Sequence, residues 1–281
     1  MTSSHTTVTY ERAINRVRVA LKAADGLDFL NDTAAVFNWI DNAPYSLNSR
    51  KTHYIAIYST LKKAEAPSNI LDIYKARMDA LNKEASDKMK EQKLSPAEEA
   101  KYMEWPDILE TREKIRLAIH DIESFQDYLI VCLYTMVRPM RLDYAEMQIV
   151  SEEPAEHGAN YLIWSSKPYF FFTDYKTYTK YGVERVVLSP ELCDVIREWQ
   201  DLVDDSYLLM GLSGLPMKDW ELGQRIISIF EKHANKSVGV NILRHSHSSW
   251  MRRGELSFKE SAELARQMGH SQQMSALYRR I

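Results

Sequence analysis

Three short runs rich in aromatic and β-branched residues limit what this chain can fold into, because nearly every other apolar residue in it recurs at helical spacing. The runs are Asn160-Tyr-Leu-Ile-Trp-Ser, Tyr169-Phe-Phe-Phe-Thr and Glu184-Arg-Val-Val-Leu, bounded by Lys-Pro and Tyr-Gly turn chemistry. They predict one three-stranded antiparallel sheet. The fold class that follows is mainly α with a small antiparallel β-sheet, an α+β arrangement.

The 281 residues have enough mass for two domains. The first part reads as helices broken by turns: Tyr10 to Ala24, a helix after an Asp32 cap, and a third opened by Ser46 and running through Leu61. The stretch Ser49-Arg-Lys-Thr-His-Tyr-Ile-Ala-Ile-Tyr sets basic and aromatic residues beside an apolar face. That suits a helical domain lying along a DNA backbone, and it suits an ordinary amphipathic helix as well. From Ile70 to Ala100 the pattern stays helical but strongly charged, so an exposed helix leading into a linker is expected. We place the boundary between residues 104 and 105.

Composition narrows the class. With 45% hydrophobic and 27% charged residues the chain reads as a soluble globular protein. It holds no apolar run long enough for a membrane span, and the polar start Met1-Thr-Ser-Ser-His is not a signal peptide. Cys132 and Cys193 sit in apolar helical patterns and read as reduced core residues of an intracellular protein, with neither a disulfide nor a metal expected. The net charge of −3 argues mildly against nucleic acid, since phosphate contacts by Lys and Arg normally dominate such affinity. From Asn235 onward, however, eight Lys/Arg stand against three Asp/Glu, which allows a basic face.

The second part opens with helices over Asp107–His120 and Ser124–Thr135, the latter with a buried face of Phe125, Leu129, Val131, Cys132 and Leu133. It delivers Tyr134-Thr-Met-Val-Arg-Pro-Met-Arg-Leu-Asp-Tyr144. After the strands come an amphipathic helix behind Ser189-Pro, a short strand at Tyr207-Leu-Leu-Met, a helix over Asp219–Ala234 and an amphipathic helix in the final forty residues. No Gly-rich phosphate loop, metal-ligand cluster or Ser-His-Asp arrangement is present. No cofactor is expected.

That last stretch holds Val240-Asn-Ile-Leu-Arg-His-Ser-His, then Met268-Gly-His-Ser, then Tyr278 eight residues after His270. Cationic and donor groups able to clamp a phosphoryl group are followed by a phenol able to attack it. In this order, with an Arg and a Lys upstream, the set resembles the catalytic domain of the tyrosine recombinases, the phage-integrase-like DNA strand transferases. It is most similar to the divergent branch of mobile and virus-associated elements. The specific motifs cover about residues 105–281; the first part matches only by helical character and position, as a core-binding domain.

The resemblance implies a site-specific recombinase or integrase that joins DNA through a 3′-phosphotyrosine without a metal. Tyr278 would be the nucleophile, Arg141 and Arg244 the phosphate clamps, His270 a donor to a non-bridging oxygen and Lys176 the general acid. Arg138 stays open as the alternative to Arg141, and Asp143 is placed to hold the arginine. Lys180 shares the Lys176 hairpin. Most relatives carry His where this chain has Asn241, and Asn cannot take up a proton at neutral pH. Proton removal from Tyr278 then falls to His245 or water.

The implied partner is double-stranded DNA bearing a specific recombination site, with a tetramer assembling on it and no membrane involved. Only Arg279-Arg-Ile281 follows Tyr278, less than one helical turn, so a monomer or weak dimer is expected without DNA. Three other readings remain: a type IB topoisomerase-like enzyme, a hairpin-forming strand transferase, and a DNA-binding protein that has lost catalysis.

Overall fold

The computed structural model describes residues 4–253 except residue 92, together with Lys259, Glu260, Ala262 and Arg266. The chain divides into two compact units, Met1–Glu91 and Gln92–Ile281.

The first unit contains α1 (Ser4–Ala20), α2 (Thr33–Asn42), α3 (Leu47–Lys63) and α4 (Ser68–Lys90). Two of the starts are set by caps that satisfy amides the first turn leaves unpaired: Ala35 N donates to Asp32 Oδ1 at 3.0 Å and Ser49 N to Ser46 Oγ at 3.1 Å. Helix α1 begins earlier and ends earlier than the spacing suggests, stopping ahead of Lys22, whose φ of 52° is left-handed.

The charged α4 is not the exposed helix expected from its composition. Tyr74 and Leu81 are buried with Val17, Val36, Ile40 and Ile57 in the core of this unit. Ile70, Tyr74, Met78 and Leu81 recur every three to four residues and form an apolar stripe beneath the charges. Polar bonds fix the helix: Tyr74 OH donates to Leu30 O at 2.7 Å, and Arg77 Nη2 lies 2.6 Å from Asp41 Oδ2. On α3, His53 and Tyr54 also belong to the interior. His53 stacks on Tyr45 with ring centroids 4.8 Å apart, and burial lowers its pKa. Those two aromatic members of the basic run are therefore packing residues.

The second unit begins before the expected 104/105 boundary. Its first helix, α5 (Pro96–Glu99), is closed by a capping box between Ser95 and Glu98. Tyr102 O then accepts from Lys236 Nζ at 2.6 Å, and Met103 and Trp105 enter the second core. These contacts tie the segment to the second unit. Helix α6 (Trp105–Leu117) leads to α7 (Ile122–Thr135), which is buried from Ser124 to Tyr134.

The strands follow as β1 (Gln148–Val150), β2 (Asn160–Ile163) and β3 (Tyr169–Phe172), then α8 (Tyr178–Tyr181) and β4 (Glu184–Val187). The pairings β2–β3 and β3–β4 are antiparallel, as expected. The sheet nevertheless has four strands and is mixed, because β1 runs parallel to β2 with Ile149 opposite Leu162. Three residues carry no alternation of their own, and β1 is held by partners distant in sequence, with Ile149 N donating to Ser206 O at 2.7 Å. The strand expected at Tyr207–Met210 is reduced to isolated bridges, Gln148 to Tyr207 and Met210 to Pro216. Gly182, at φ 68°, ends α8 in a conformation that suits glycine and lets β4 begin.

Helices α9 (Pro190–Val203), α10 (Asp219–Ala234) and α11 (Val240–Met251) follow. Trp199 of α9 is buried and donates to Leu208 O at 2.9 Å, joining that helix to the segment beside β1. Cys132 and Cys193 are free, buried thiols, and burial pushes Cys132 up to about 12. No described helix is long and apolar enough to cross a membrane.

Candidate functional site

The turn after α7 is positioned by aromatic packing. Tyr144 is fully buried, with its ring 5.4 Å from Tyr134, 5.2 Å from Phe170 and 5.8 Å from Phe172. Edge-on contacts of this kind add about 0.5–1.5 kcal/mol each beyond area burial, enough to fix the end of a turn. Tyr134 OH donates to Arg141 O at 2.6 Å, and Arg141 N donates to Asp143 Oδ2 at 2.9 Å. The main chain of Arg141 is therefore held from both sides. Its side chain remains partly exposed and forms no ion pair with Asp143 or Glu146; Glu146 instead pairs with Lys218.

Arg138 has a different environment. Its Nη2 lies 2.5 Å from Glu184 Oε1, with the two side chains only 10% and 9% exposed. Arg266 Nη1 approaches the same carboxylate at 3.5 Å. The arginine three residues before Arg141 thus fastens the turn to the first residue of β4.

Helix α11 starts after Gly239 and places Asn241, exposed, in its first turn. Arg244 lies one turn further on and is 2% exposed. Its Nη1 donates to Pro139 O at 2.7 Å, which draws the start of α11 onto the turn that carries Arg141. His245 is partly buried beside it. His247 packs edge-on against Trp105 with centroids 4.8 Å apart; burial, helped by the Arg244 charge, lowers its pKa to about 4.

Asp143 registers the electrostatics of this corner. Burial raises its pKa, while the Arg141 amide and the charges of Arg141 and Arg244 oppose the rise and Asp174 adds to it. One carboxylate therefore lies in the field of both arginines and of the turn leading to Lys176.

Lys176 is exposed between β3 and α8. Two residues ahead of it, Asp174 O accepts from Asn160 Nδ2 at 2.7 Å, and the same Nδ2 donates to Asp143 O at 3.0 Å. In the sequence Asn160 is simply a polar residue opening an aromatic strand. The one sequence cue to it is weak: Asn160 falls on the same strand face as Leu162, which is turned inward. Lys180 lies with its Nζ 4.9 Å from the centroid of the Tyr181 ring.

The structure thus gathers Arg141, Arg244 and the segment bearing Lys176 around one turn, with Asn241 and His245 on the helix that carries Arg244. Arg138 is directed to β4. His270 and Tyr278 lie outside the described residues.

No family model matches the sequence, and no curated protein matches it. Solved structures do. The XerH site-specific recombinase, bound to its difH substrate in a pre-cleavage complex, aligns with 96% of this chain and 73% of its own at 13% identity, with a TM-score of 0.57. The XerA recombinase aligns with 100% of this chain and 88% of its own at 14% identity; its TM-score of 0.46 is too low to add weight. The chain has a tyrosine recombinase-like fold, mainly helical with a small mixed sheet.

Proposed function

We propose that this protein is a site-specific DNA recombinase that cuts and rejoins duplex DNA through Tyr278. The observation that carries the reading is the bond from Arg244 to Pro139 O. It brings the second candidate arginine onto the turn of the first, within a fold like that of a recombinase described bound to its DNA substrate.

The reaction is an in-line displacement. The Tyr278 oxygen bonds to phosphorus, and the bond from phosphorus to the 5′ oxygen breaks. The phenol proton passes to His245 or water, because Asn241 has no basic site. Lys176 delivers a proton to the departing 5′ oxygen, which would otherwise leave as a strongly basic alkoxide. Arg141 and Arg244 offer planar forks of donors to the non-bridging oxygens, joined by His270. Burial of Arg244 favours this role, since a charge set in a poorly solvated wall acts more strongly on the developing charge than one in water. The amides of the first turn of α11, next to Asn241, add partial positive charge.

The 3′-phosphotyrosine retains the energy of the phosphodiester, so a 5′ hydroxyl from a second duplex reverses the step and no nucleotide is consumed. The scheme places the protein with DNA inside a cell, in the integration or movement of a mobile or viral element, with four protomers joining two sites.

The test is covalent capture. Duplexes from a random-sequence pool are incubated with the protein and a chelator, then recovered after detergent. The reading expects enrichment of a specific site bearing protein on the 3′ side of a nick. Failure to enrich any adduct, while the protein still binds duplex DNA, would leave a DNA-binding protein without strand transfer.

A further inference from the structure

Asn160 is the first residue of β2, opposite Phe172 in the register with β3, so the ladder ends where its side chain begins. Asn160 is 8% exposed, and its carboxamide uses every bonding position it has. Nδ2 donates to Asp143 O at 3.0 Å and to Asp174 O at 2.7 Å. Oδ1 accepts from Thr173 N at 3.1 Å and Asp174 N at 3.0 Å. Two donors face two carbonyls and two lone pairs face two amides, so the orientation of the group is fixed by its partners. It continues the sheet's hydrogen bonding past the last backbone pair and ties two turns together.

Those turns are the one that presents Arg141 and the one that leads to Lys176. We infer that Asn160 is a positioning residue that sets the place of Lys176 relative to the Arg141 turn for protonation of the leaving oxygen. The inference rests on the strand-transfer reading above. Thr173 reinforces the tie, its Oγ1 donating to Ala159 O at 2.5 Å and accepting from Gly158 N at 3.2 Å. The two turns differ in how much they depend on Asn160. Arg141 keeps its bonds to Tyr134 and Asp143 without it. Lys176 is exposed; Tyr175 beside it is buried and donates its OH to Gly182 O at 2.7 Å, while Thr173 and Asp174 ahead of it are held by their amides on Asn160. Loss of the amide therefore frees the Thr173–Asp174 end of the Lys176 turn and falls more on the proton donor than on Arg141.

Substitution at the leaving atom separates this role from general destabilisation. A thiol has a pKa near 8.5 and departs as an anion without protonation, so a duplex with sulfur in place of the bridging 5′ oxygen needs no general acid. The experiment measures adduct formation by the full-length protein on a captured site, with oxygen or sulfur at that position. Asn160→Ala is expected to slow the oxygen substrate by about 10-fold to 100-fold, part of the roughly 10²–10⁴-fold that acid–base catalysis supplies. It is expected to stay within about threefold of wild type on the sulfur substrate, matching the pattern of Lys176→Ala. Asn160→Asp, which keeps the shape but replaces the NH2 group and its two donors by one oxygen facing both carbonyls, should behave the same way. Equal losses on both substrates, or no loss on oxygen, overturn the inference. A wild-type protein inert on both overturns the strand-transfer reading itself.

Discussion

Arg138 and Arg141 stand three residues apart, and their surroundings predict opposite consequences of substitution. Arg138→Met leaves Glu184 buried, 9% exposed, without its nearest cation. Breaking a buried pair costs about 3–5 kcal/mol, chiefly through the charge left behind. Arg266 Nη1, 3.5 Å from the same carboxylate, offsets part of that, so the lower end, about 3 kcal/mol, applies. For a unit of this size each kcal/mol moves the melting point by about 2–4 °C, which gives a fall of about 6–12 °C. Adding Glu184→Leu should recover most of it, since an apolar pair in place of a buried ion pair is near neutral. Arg141→Lys retains both main-chain bonds at that residue and should melt close to wild type. Its loss should appear in cleavage, by about 10²-fold, because an ammonium cannot replace a planar fork on two phosphate oxygens. Calorimetry and the rate of covalent adduct formation on the same three variants provide the comparison. A stable Arg138→Met protein that fails to cleave, beside an Arg141→Lys protein that cleaves normally, would refute the reasoning and assign the clamp to Arg138.

Two further predictions follow from buried groups. His247 is held near pKa 4 against an ordinary 6.5, so between those values the unfolded chain binds more protons; stability rises with pH through that window and is lost on acidification. At about 1.4 kcal/mol per unit, the drop from pH 7 to 4.5 should be about 2–3 kcal/mol larger in wild type than in His247→Phe by urea unfolding, and equal drops would contradict it. Tyr74→Phe removes the donor to Leu30 O in the first unit and should cost about 1–3 kcal/mol, read as faster hydrogen exchange of the α2 and α3 amides; unchanged exchange would contradict it.

Much of this architecture is written in local chemistry. Asp32 and Ser46 mark helix starts because their side chains reach the third amide onward, and the aromatic and β-branched runs of β2, β3 and β4 pair antiparallel as their composition and bounding turns imply. What composition concealed depends on distant partners. The charges of α4 hide a stripe that acquires meaning only once Leu30 and Asp41 stand opposite it. Strand β1 has three residues and needs β2 and Ser206 to exist at all. At the site, residue order suggested Arg141, Lys176 and Arg244 because each chemistry has a characteristic side chain. Asn160 escaped notice because its role is to join two turns through backbone carbonyls, and no neighbouring residue advertises that. Asp143 holds Arg141 through its main-chain amide rather than through the guanidinium.

The central claim is that one tyrosine becomes joined to DNA, and peptide mapping tests it most directly. After adduct formation on a captured site, nuclease and protease digestion should leave a peptide containing Tyr278 with a nucleotide esterified through its 3′ phosphate to the phenol. Tyr278→Phe should yield no adduct while still binding the duplex. A nucleotide found on another residue, or an undiminished adduct with Tyr278→Phe, would contradict the account.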